Sequence, residues 1–574
     1  MGDVRHRPVG GARRPPLSAS IVLLASLAGC VGSTAAPSLD GRGAKPSFPP
    51  TVAEPRTTAC DVLDPSVLRR ISHGTDPERS GEIQLVPSED LQAGGLSHAS
   101  PFDITQRVPL LVYGPGVVRP GVYRRPATLA DIAPTTADIL RFSRFHAPDG
   151  NALTQALLPA DRRRLPRLVV TLIWDSAGVD LLRRWPAAWP RLRALARDSA
   201  WFTNAALDAS PSNTPPSHAT IGTGAFPRTN GVPDEYIRVG RRIERPLHLG
   251  PRVLKVPTLG DRYDLAMGNR SLVGTVGSLS AHLLMMSRGS FAPGGDRDLA
   301  ITREPKESAT GGDDSAPRWR LSEDMAPYYE LPQYANDPSL AGSFHREIER
   351  LDVADGAEDG RWREHEISSL LGGWETPARS AWQTSLVEAM IRREGFGADD
   401  VPDLLYVNYK MLDSLGHAYS ADAIELLDGL RAQDRELGRL VRFLDERVGR
   451  NQWAMVLTAD HGMARDPAAT GAERYDVRSL AASIDAAFGA PGEPVVQRMR
   501  PTQVWLDTRA LIESGADVGD VASYLSSLTR AQLATAGAEI ARPDAPAFLA
   551  VIPTSTLDDL PCLGGATQGA SSPA

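Results

Sequence analysis

Three short, almost continuous apolar runs mark the chain, and each ends in an acidic or amide side chain. They cover residues 167–175 (Arg-Leu-Val-Val-Thr-Leu-Ile-Trp-Asp), 403–408 (Asp-Leu-Leu-Tyr-Val-Asn) and 453–460 (Trp-Ala-Met-Val-Leu-Thr-Ala-Asp). Such runs are typical of strands that are buried on both faces of a parallel sheet. Open α/β sheets bind ligands at the carboxyl ends of their strands. The pattern therefore predicts an α/β fold with a site where these runs end.

The first 30 residues have the pattern of an export signal. Arginines at positions 5, 7, 13 and 14 precede a short apolar run at 21–27, and Ala-Gly-Cys30 follows it. The run is far shorter than the roughly 20 residues that span a bilayer, so a signal peptide is expected. Its Leu-Ala-Gly-Cys ending resembles a bacterial lipoprotein box, in which Cys30 is lipidated. A plain secretory signal with an incidental cysteine is the alternative.

The composition indicates in which compartment the protein resides and which kinds of partner it binds. Residues 31–58 are rich in Ser, Thr, Pro and Gly, as in a flexible tether, so we expect an extracytoplasmic protein anchored to the membrane through lipid. The net charge of −8 provides no basic footprint for nucleic acid. If Cys30 carries lipid, Cys60 and Cys562 remain as an even pair in an oxidising compartment.

A candidate nucleophile lies in the segment Ser-Asn-Thr-Pro-Pro-Ser-His-Ala-Thr at 212–220. Thr214 is expected to be the N-cap of a helix whose first residue is Pro215. A hydroxyl there faces the positive end of the helix dipole, where phosphate binds well. A purely capping role is the alternative.

Aspartate and histidine occur together at two further strand ends. Asp413 and His417 follow the second apolar run, and Asp460 and His461 end the third. Mixed carboxylate and imidazole ligands suit zinc, although manganese and nickel also fit.

In this order, the motifs resemble the alkaline phosphatase superfamily, most closely its type I phosphodiesterase/nucleotide pyrophosphatase branch. They are the strand ending at Asp175, Thr214 within its segment, Gly-Ala-Phe-Pro-Arg-Thr-Asn-Gly at 224–231, Asp413-Ser-Leu-Gly-His417 and Ala-Asp460-His461-Gly. No cysteine occupies the nucleophile position, which argues against the sulfatase branch. The resemblance implies a doubly wound, mostly parallel sheet flanked by helices. It also implies a phosphate-ester hydrolase with two divalent metal ions and a phosphothreonine intermediate on Thr214.

One expected metal ligand is missing from its usual place, because no histidine follows His461. The segments that resemble the family's late strand, histidine loop and closing strand and helix lie instead at 77–87, 95–101, 107–116 and 128–135. We therefore expect a circular permutation that has moved the C-terminal quarter of the fold to the front. A fused fragment of a second, defective domain is the alternative.

The resemblance assigns ligands and, through the permutation, a disulfide. One metal would be bound by Asp413, His417 and His98, and the other by Asp175, Asp460, His461 and the Thr214 oxygen. In an unpermuted relative the regions of Cys60 and Cys562 would be neighbours in sequence, so these cysteines are expected to pair.

The substrate class depends on less specific positions. Monoesterases of the superfamily hold extra phosphate charge with an Asn and a Lys-x-Arg, but Glu235 falls near the first position and residues 276–282 near the second. A carboxylate would repel a dianion, so diesters or pyrophosphates are expected. Asn213 and Asn230 are the candidates to replace the missing Asn, and His282 faces either the cleft or the core. A phosphomonoesterase and a non-catalytic binding lipoprotein are the alternatives.

The expected division of the chain follows. It comprises a signal peptide (1–30), a tether (31–58), the permuted part of the catalytic domain (59–142), a joining linker (143–166), the core with the nucleophile (167–234), a cap insertion (235–390), the core with further ligands (391–562) and a disordered tail (563–574). His73 and His218 are expected to have structural roles.

Overall fold

The computed structural model describes residues 58–94, 97–302, 319–369, 375–533 and 540–563. The signal peptide with Cys30, the tether up to residue 57 and the tail from residue 564 lie outside the described residues. No helix among the described residues combines the length and the apolar character that crossing a bilayer requires.

Two sheets contain most of the strands. In chain order the strands are β1 (Ile83–Pro87), β2 (Leu110–Tyr113), β3 (Gly121–Tyr123), β4 (Leu168–Trp174), β5 (Ser199–Phe202), β6 (Val273–Val276), β7 (Asp298–Ile301), β8 (Tyr329–Glu330), β9 (Asp403–Tyr409), β10 (Trp453–Thr458), β11 (Val496–Arg500), β12 (Gln503–Leu506) and β13 (Phe548–Pro553). The three apolar runs of the sequence form β4, β9 and β10, and every residue in them is buried. Their predicted strand character is confirmed.

Helices of at least eight residues connect these strands. They are α1 (Pro65–Gly74), α2 (Ile132–Ile139), α3 (Pro190–Arg197), α4 (Thr214–Thr223), α5 (Leu259–Ala266), α6 (Pro338–Asp352), α7 (Ala378–Glu394), α8 (Met411–Tyr419), α9 (Ile424–Leu444), α10 (Val477–Phe488) and α11 (Val518–Ser527). The long helix α9 is amphipathic and packs against α3, α7 and α8.

The main sheet has nine strands in the order β8-β7-β6-β9-β4-β10-β2-β5-β3. Only β2 runs against its two neighbours, and all the other pairings are parallel. The mostly parallel α/β sheet expected from the sequence is confirmed. Since β2 comes from residues 110–113, the front of the chain is an integral part of this sheet.

A second, four-stranded sheet joins the two ends of the chain. Its order is β11-β12-β1-β13, so that β1 near the start lies between strands encoded near the end. A small apolar cluster beside it contains Leu68 and Ile71 from α1 together with Ile552 and Leu557. Burial of this apolar surface holds the two ends of the chain together.

The stretch 235–390, expected to form a cap, differs from that expectation. Strands β6, β7 and β8 extend the main sheet beyond β9 in parallel, and α7 is buried along most of its length. The sequence gives little indication of these strands, because β6 is only Val-Gly-Thr-Val and β8 has two residues. Much of the stretch therefore belongs to the core.

Cys60 and Cys562 form the disulfide that was expected, with their Cα atoms 5.8 Å apart. The bond joins residues separated by 502 positions and lies beside the apolar cluster that contains Leu68. It therefore closes almost the whole described chain.

We predict that replacing both cysteines by serine lowers the melting temperature. A loop of this length corresponds to a stabilisation of up to about 6 kcal/mol in the chain-entropy model, and the measured loss is expected to be smaller because the apolar cluster still holds the two segments together. Thermal unfolding of the oxidised protein and of the Cys60→Ser/Cys562→Ser variant measures the effect. A reductant should bring the wild type to the variant's value and leave the variant unchanged; equal melting temperatures under oxidising conditions would contradict the prediction.

A second prediction concerns the packing of α4 on the 3₁₀ segment Ser280–Met285. A Cβ atom on Gly222 would lie 2.5 Å from the Met285 carbonyl oxygen, so Gly222→Ala must displace backbone. We expect a loss of about 1–3 kcal/mol in the free energy of unfolding, measured with denaturant. Gly342→Ala in α6 is the control, since its Cβ would meet only the flexible Arg346 side chain at 3.3 Å. That variant should match or exceed the wild type, and a Gly222→Ala protein of wild-type stability would refute the packing argument.

Candidate metal centre

The three central strands bring their carboxyl ends to one edge of the sheet. β4 lies between β9 and β10 and is parallel to both, with Trp174 opposite Tyr409 and Ile173 opposite Thr458. The residues that follow these strands therefore lie side by side, as the sequence predicted.

Helix α4 brings the hydroxyl of Thr214 to this edge. The helix is buried throughout and begins at Thr214, and its N-cap is Asn213, which has extended backbone angles. The expectation that Thr214 is the N-cap is thus wrong by one position, because Asn213 provides the carbonyl that accepts from Ser217 N. Because Asn213 is the N-cap, the Thr214 hydroxyl has no capping role, and it lies 3.4 Å from His461 Nε2.

One cluster of potential metal ligands comprises Asp175, Asp460 and His461, all of them buried. His461 Nε2 lies 3.8 Å from Asp175 Oδ1 and 3.3 Å from Asp460 Oδ2. Asp460 Oδ2 is buried and has no hydrogen-bond partner within the described residues. An orphaned carboxylate oxygen beside an imidazole nitrogen is the arrangement that a divalent cation would complete.

The second cluster comprises His98, Asp413 and His417. Asp413 and His417 lie one turn apart on α8, and the Nε2 atoms of His98 and His417 both lie 3.5 Å from Asp413 Oδ1. His98 Nδ1 donates to the Ser212 carbonyl at 2.6 Å, which fixes the tautomer and leaves Nε2 free as a ligand. The front of the chain therefore provides the histidine that the back lacks.

The two clusters adjoin each other. The rings of His98 and His461 stack with their centroids 3.8 Å apart. The side chain of His417 is 44% exposed, so the second cluster opens towards solvent.

Sequence reasoning missed Lys410, which connects both clusters. Its buried Nζ donates to Thr214 Oγ1 at 2.9 Å and contacts Asp175 Oδ1 at 2.9 Å and Asp413 Oδ2 at 2.7 Å. A signal existed in the sequence, since Lys410 follows a strand directly and precedes Asp413 by three residues, a spacing that places both on one helix face.

Ser176 was missed as well. Its backbone has a positive φ of 63°, which is uncommon for a residue other than glycine and concentrates at functional sites. This conformation lets Ser176 N donate to Asp460 Oδ1 while Ser176 Oγ donates to Asp413 Oδ1 at 2.7 Å. One residue thus orients a carboxylate of each cluster.

The charges at this edge do not balance within the described residues. Burial and repulsion from Asp413 raise the pKa of Asp175 to about 6, although Lys410 opposes the shift. Burial and the negative charge of Asp175 raise the pKa of Asp460 well above its ordinary value. Burial would lower the pKa of Lys410, but the three carboxylates reverse this and raise it. Three acidic groups therefore share one ammonium.

His98 and His461 are neutral near pH 7. Burial lowers the pKa of His98 to about 4, and burial lowers the pKa of His461 well below its ordinary value. Neutral imidazoles beside uncompensated carboxylates fit divalent cations such as zinc.

The remaining predicted residues lie around this centre. Asn213 Nδ2 donates to buried Asp234 at 2.9 Å, and Glu235 pairs with Arg500 at 2.7 Å. The Asn230 side chain bonds only backbone of its own loop, at Ala225 and Val232.

Two further buried histidines, His218 and His282, lie close to Asp175. His218 Nδ1 donates to the Thr214 carbonyl at 2.8 Å, and Asn408 Nδ2 donates both to His218 Nε2 and to Asp175 Oδ2. His282 Nδ1 accepts from Leu279 N, so its Nε2 carries the proton and points towards Asp175 Oδ2, 3.8 Å away. His282 is thus buried in the core and also close to the centre.

Known proteins that are similar to this chain belong to the superfamily that its motifs resemble. A sequence model of the type I phosphodiesterase/nucleotide pyrophosphatase family matches residues 169–476. The chain is 24% identical to alkaline phosphatase PafA of Elizabethkingia meningoseptica over 420 residues, 63% of this chain and 72% of that protein. It is 23% identical to alkaline phosphatase PhoV of Synechococcus elongatus over 53% of this chain and 60% of PhoV.

The crystal structure of wild-type PafA aligns with 63% of this chain and 76% of its own, at 20% identity and a TM-score of 0.47. The family match covers more than half of the chain and contains Asp175, Thr214, Asp413, His417, Asp460 and His461. The chain therefore belongs to the type I phosphodiesterase/nucleotide pyrophosphatase family, within the alkaline phosphatase superfamily.

Proposed function

We propose that this protein is a metal-dependent hydrolase of phosphate esters in which Thr214 is the nucleophile. The observation that carries the proposal is the position of the Thr214 hydroxyl, 3.4 Å from a histidine of one cluster and 2.9 Å from a lysine that contacts both. A threonine hydroxyl is a weak nucleophile near neutral pH, so it needs such surroundings to lose its proton.

Two groups of side chains would hold two divalent ions, zinc being the best match. Asp175, Asp460 and His461 with the Thr214 oxygen would bind one ion, and His98, Asp413 and His417 the other. When bound, such ions supply the positive charge that lowers the pKa of the hydroxyl and offsets charge on the transferring phosphoryl group.

The side chains then have separate tasks. Lys410 donates to Thr214 Oγ1 and is placed to stabilise the alkoxide as the proton leaves. Oγ1 forms a bond to phosphorus while the bond to the leaving oxygen breaks, which produces phosphothreonine and releases an alcohol that carries the proton lost from Oγ1. Water then attacks phosphorus as the bond to Oγ1 breaks, so that Oγ1 regains a proton from the water and the phosphate product leaves. Asn408 and Ser176 hold Asp175, Asp460 and Asp413 in place throughout.

We also infer that the chain is circularly permuted. Three observations support this: His98 adjoins Asp413, β2 lies within the main sheet beside β10, and β1 pairs with β12 and β13. Chain ends that lie close together make such rearrangements structurally cheap, and the disulfide between Cys60 and Cys562 joins the first and last described segments here.

Export and lipidation at Cys30 complete the proposal. The disulfide supports an oxidising compartment, since such bonds are rare in the cytosol. Anchoring through lipid rests on the Leu-Ala-Gly-Cys30 sequence alone.

The nucleophile is tested with Thr214→Ala and Thr214→Ser. We expect Thr214→Ala to lose at least about 1000-fold in kcat on an aryl phosphate ester, since a covalent pathway is removed, while Thr214→Ser keeps measurable turnover. Both variants should remain folded, because the Thr214 hydroxyl contacts Lys410 and His461 and does not cap the helix. Dialysis against a chelator should abolish wild-type turnover, and zinc should restore it. Normal activity in Thr214→Ala would reject the assignment, and chelator-resistant activity would reject the metal.

The substrate class has two candidates. Diesters or pyrophosphates were expected because Glu235 would repel a dianion, and the family name agrees with them. Glu235, however, pairs with Arg500, and Lys410 adds a cation beside the nucleophile. These contacts, together with the names of the curated relatives, favour a phosphomonoesterase as the second candidate.

The Lys410→Met variant distinguishes a phosphodiesterase from a phosphomonoesterase. If Lys410 contacts the extra charge of a monoester, the variant should lose roughly 10-fold or more in kcat/KM on an aryl monoester beyond its loss on the matching diester, since a charge-assisted contact contributes about 1.5–3 kcal/mol. The charge-retaining Lys410→Arg variant should lose less of this selectivity. An equal loss on both esters would limit Lys410 to the nucleophile, and a wild-type preference for the diester would support the first candidate.

A further inference from the structure

A second concentration of acidic groups lies away from the candidate metal centre. Asp264 in α5, Asp298 at the start of β7 and Asp296 in the loop before it place carboxylate oxygens within 4.8 Å of one another. Since Asp298 begins a parallel strand whose carboxyl end faces the other way, this cluster lies at the amino edge of the sheet, opposite Thr214.

The cluster contains an unsatisfied buried atom that points to a ligand. Asp264 is only 4% exposed, and its Oδ1 is buried without a hydrogen-bond partner among the described residues. Leaving a buried carboxylate oxygen unpaired is costly, so such an atom calls for a partner that the chain does not provide.

No cation of the described chain compensates these three carboxylates. The neighbouring Arg288 is engaged by Asp261, with Nε 2.6 Å from Oδ2, and the Arg297 side chain donates to the Tyr329 carbonyl. Burial and repulsion from Asp296 raise the pKa of Asp264 to about 7. Burial and the charges of Asp264 and Asp296 likewise raise the pKa of Asp298, although a hydrogen bond from Ser287 opposes the shift.

We infer that Asp264, Asp296 and Asp298 bind a divalent cation of the calcium type, with the Ser287 hydroxyl beside them. The donors are all oxygens, which calcium prefers, whereas zinc prefers nitrogen and sulfur ligands. Asp296 is exposed and provides a route from solvent, while Asp264 and Asp298 are buried. Such an ion would tie α5 to the loop that leads into β7.

The competing explanation is a shared proton, since two buried carboxyl groups can remain together if one is neutral. The two explanations differ in what stabilises the protein. A cation adds stability with its concentration, whereas a proton leaves the protein indifferent to calcium.

The test measures melting of the zinc-loaded full chain with and without calcium, and calcium binding by calorimetry. We expect calcium well above its dissociation constant to raise the melting temperature by about 2–5 °C. Asp296→Asn and Asp264→Asn should abolish this rise and the calorimetric signal, and Asp324→Asn, at an exposed aspartate outside the cluster, should retain both. Asp296 lies on the surface, so its variant should fold normally.

Asp264→Asn should also melt at or above the wild type without calcium, because it removes a buried repulsion. No response of the wild type to calcium would overturn the proposal in favour of the shared proton. An unchanged response in Asp296→Asn would overturn it by placing any calcium elsewhere. Activity on aryl phosphate esters should be the same for Asp296→Asn and the wild type, so this result does not depend on the proposed hydrolase function.

Discussion

Lys410 contacts a carboxylate of each ligand cluster and the hydroxyl of Thr214, and the rest of the site is arranged around this contact. Three buried carboxylates repel one another in a medium of low polarity, and a single ammonium cannot neutralise them. The fold tolerates them because neighbouring donors orient each group: the Asn408 side chain donates to Asp175, the Ser176 hydroxyl to Asp413 and the Ser176 backbone N–H to Asp460. The remaining negative charge is what makes the edge a candidate site for cations.

The sheet explains why these charges meet at all. Asp175 and Asp460 follow β4 and β10, and Asp413 lies in the first turn of the helix after β9. The parallel register of β4 with β9 and β10 aligns the ends of these strands. The three strands are buried over their whole length, so the charged side chains of the two clusters are confined to the carboxyl edge of the sheet, where the strands end. Gly222 also helps to position Thr214. Because Gly222 has no side chain, α4 can pack closely against the 280–285 segment.

Local patterns in the sequence predicted this edge well and its surroundings poorly. The strands before Asp175 and Asp460 are continuous apolar runs, and the Asp413/His417 pair has helical spacing, so composition and order sufficed. Lys410 was overlooked because a lysine is ordinarily a surface residue. Strands β6 and β8 were overlooked because they are too short to show a period. The Ser176 conformation depends on tertiary contacts, which no local pattern records.

The matched family region spans residues 169–476, yet groups outside it reach the centre. His98 precedes that region and contacts Asp413, while Gln503 and Arg500 follow it and approach Asp234. Asp234 in turn accepts from Asn213, which lies beside Thr214. The second sheet therefore supports the start of α4 as well as joining the chain ends. Since β1 completes that sheet between β12 and β13, loss of the front segment would remove His98 from its candidate ligand cluster and also loosen the support of α4. The two ends of the chain thus act on one site, and the disulfide between them stabilises the arrangement on which both contributions depend.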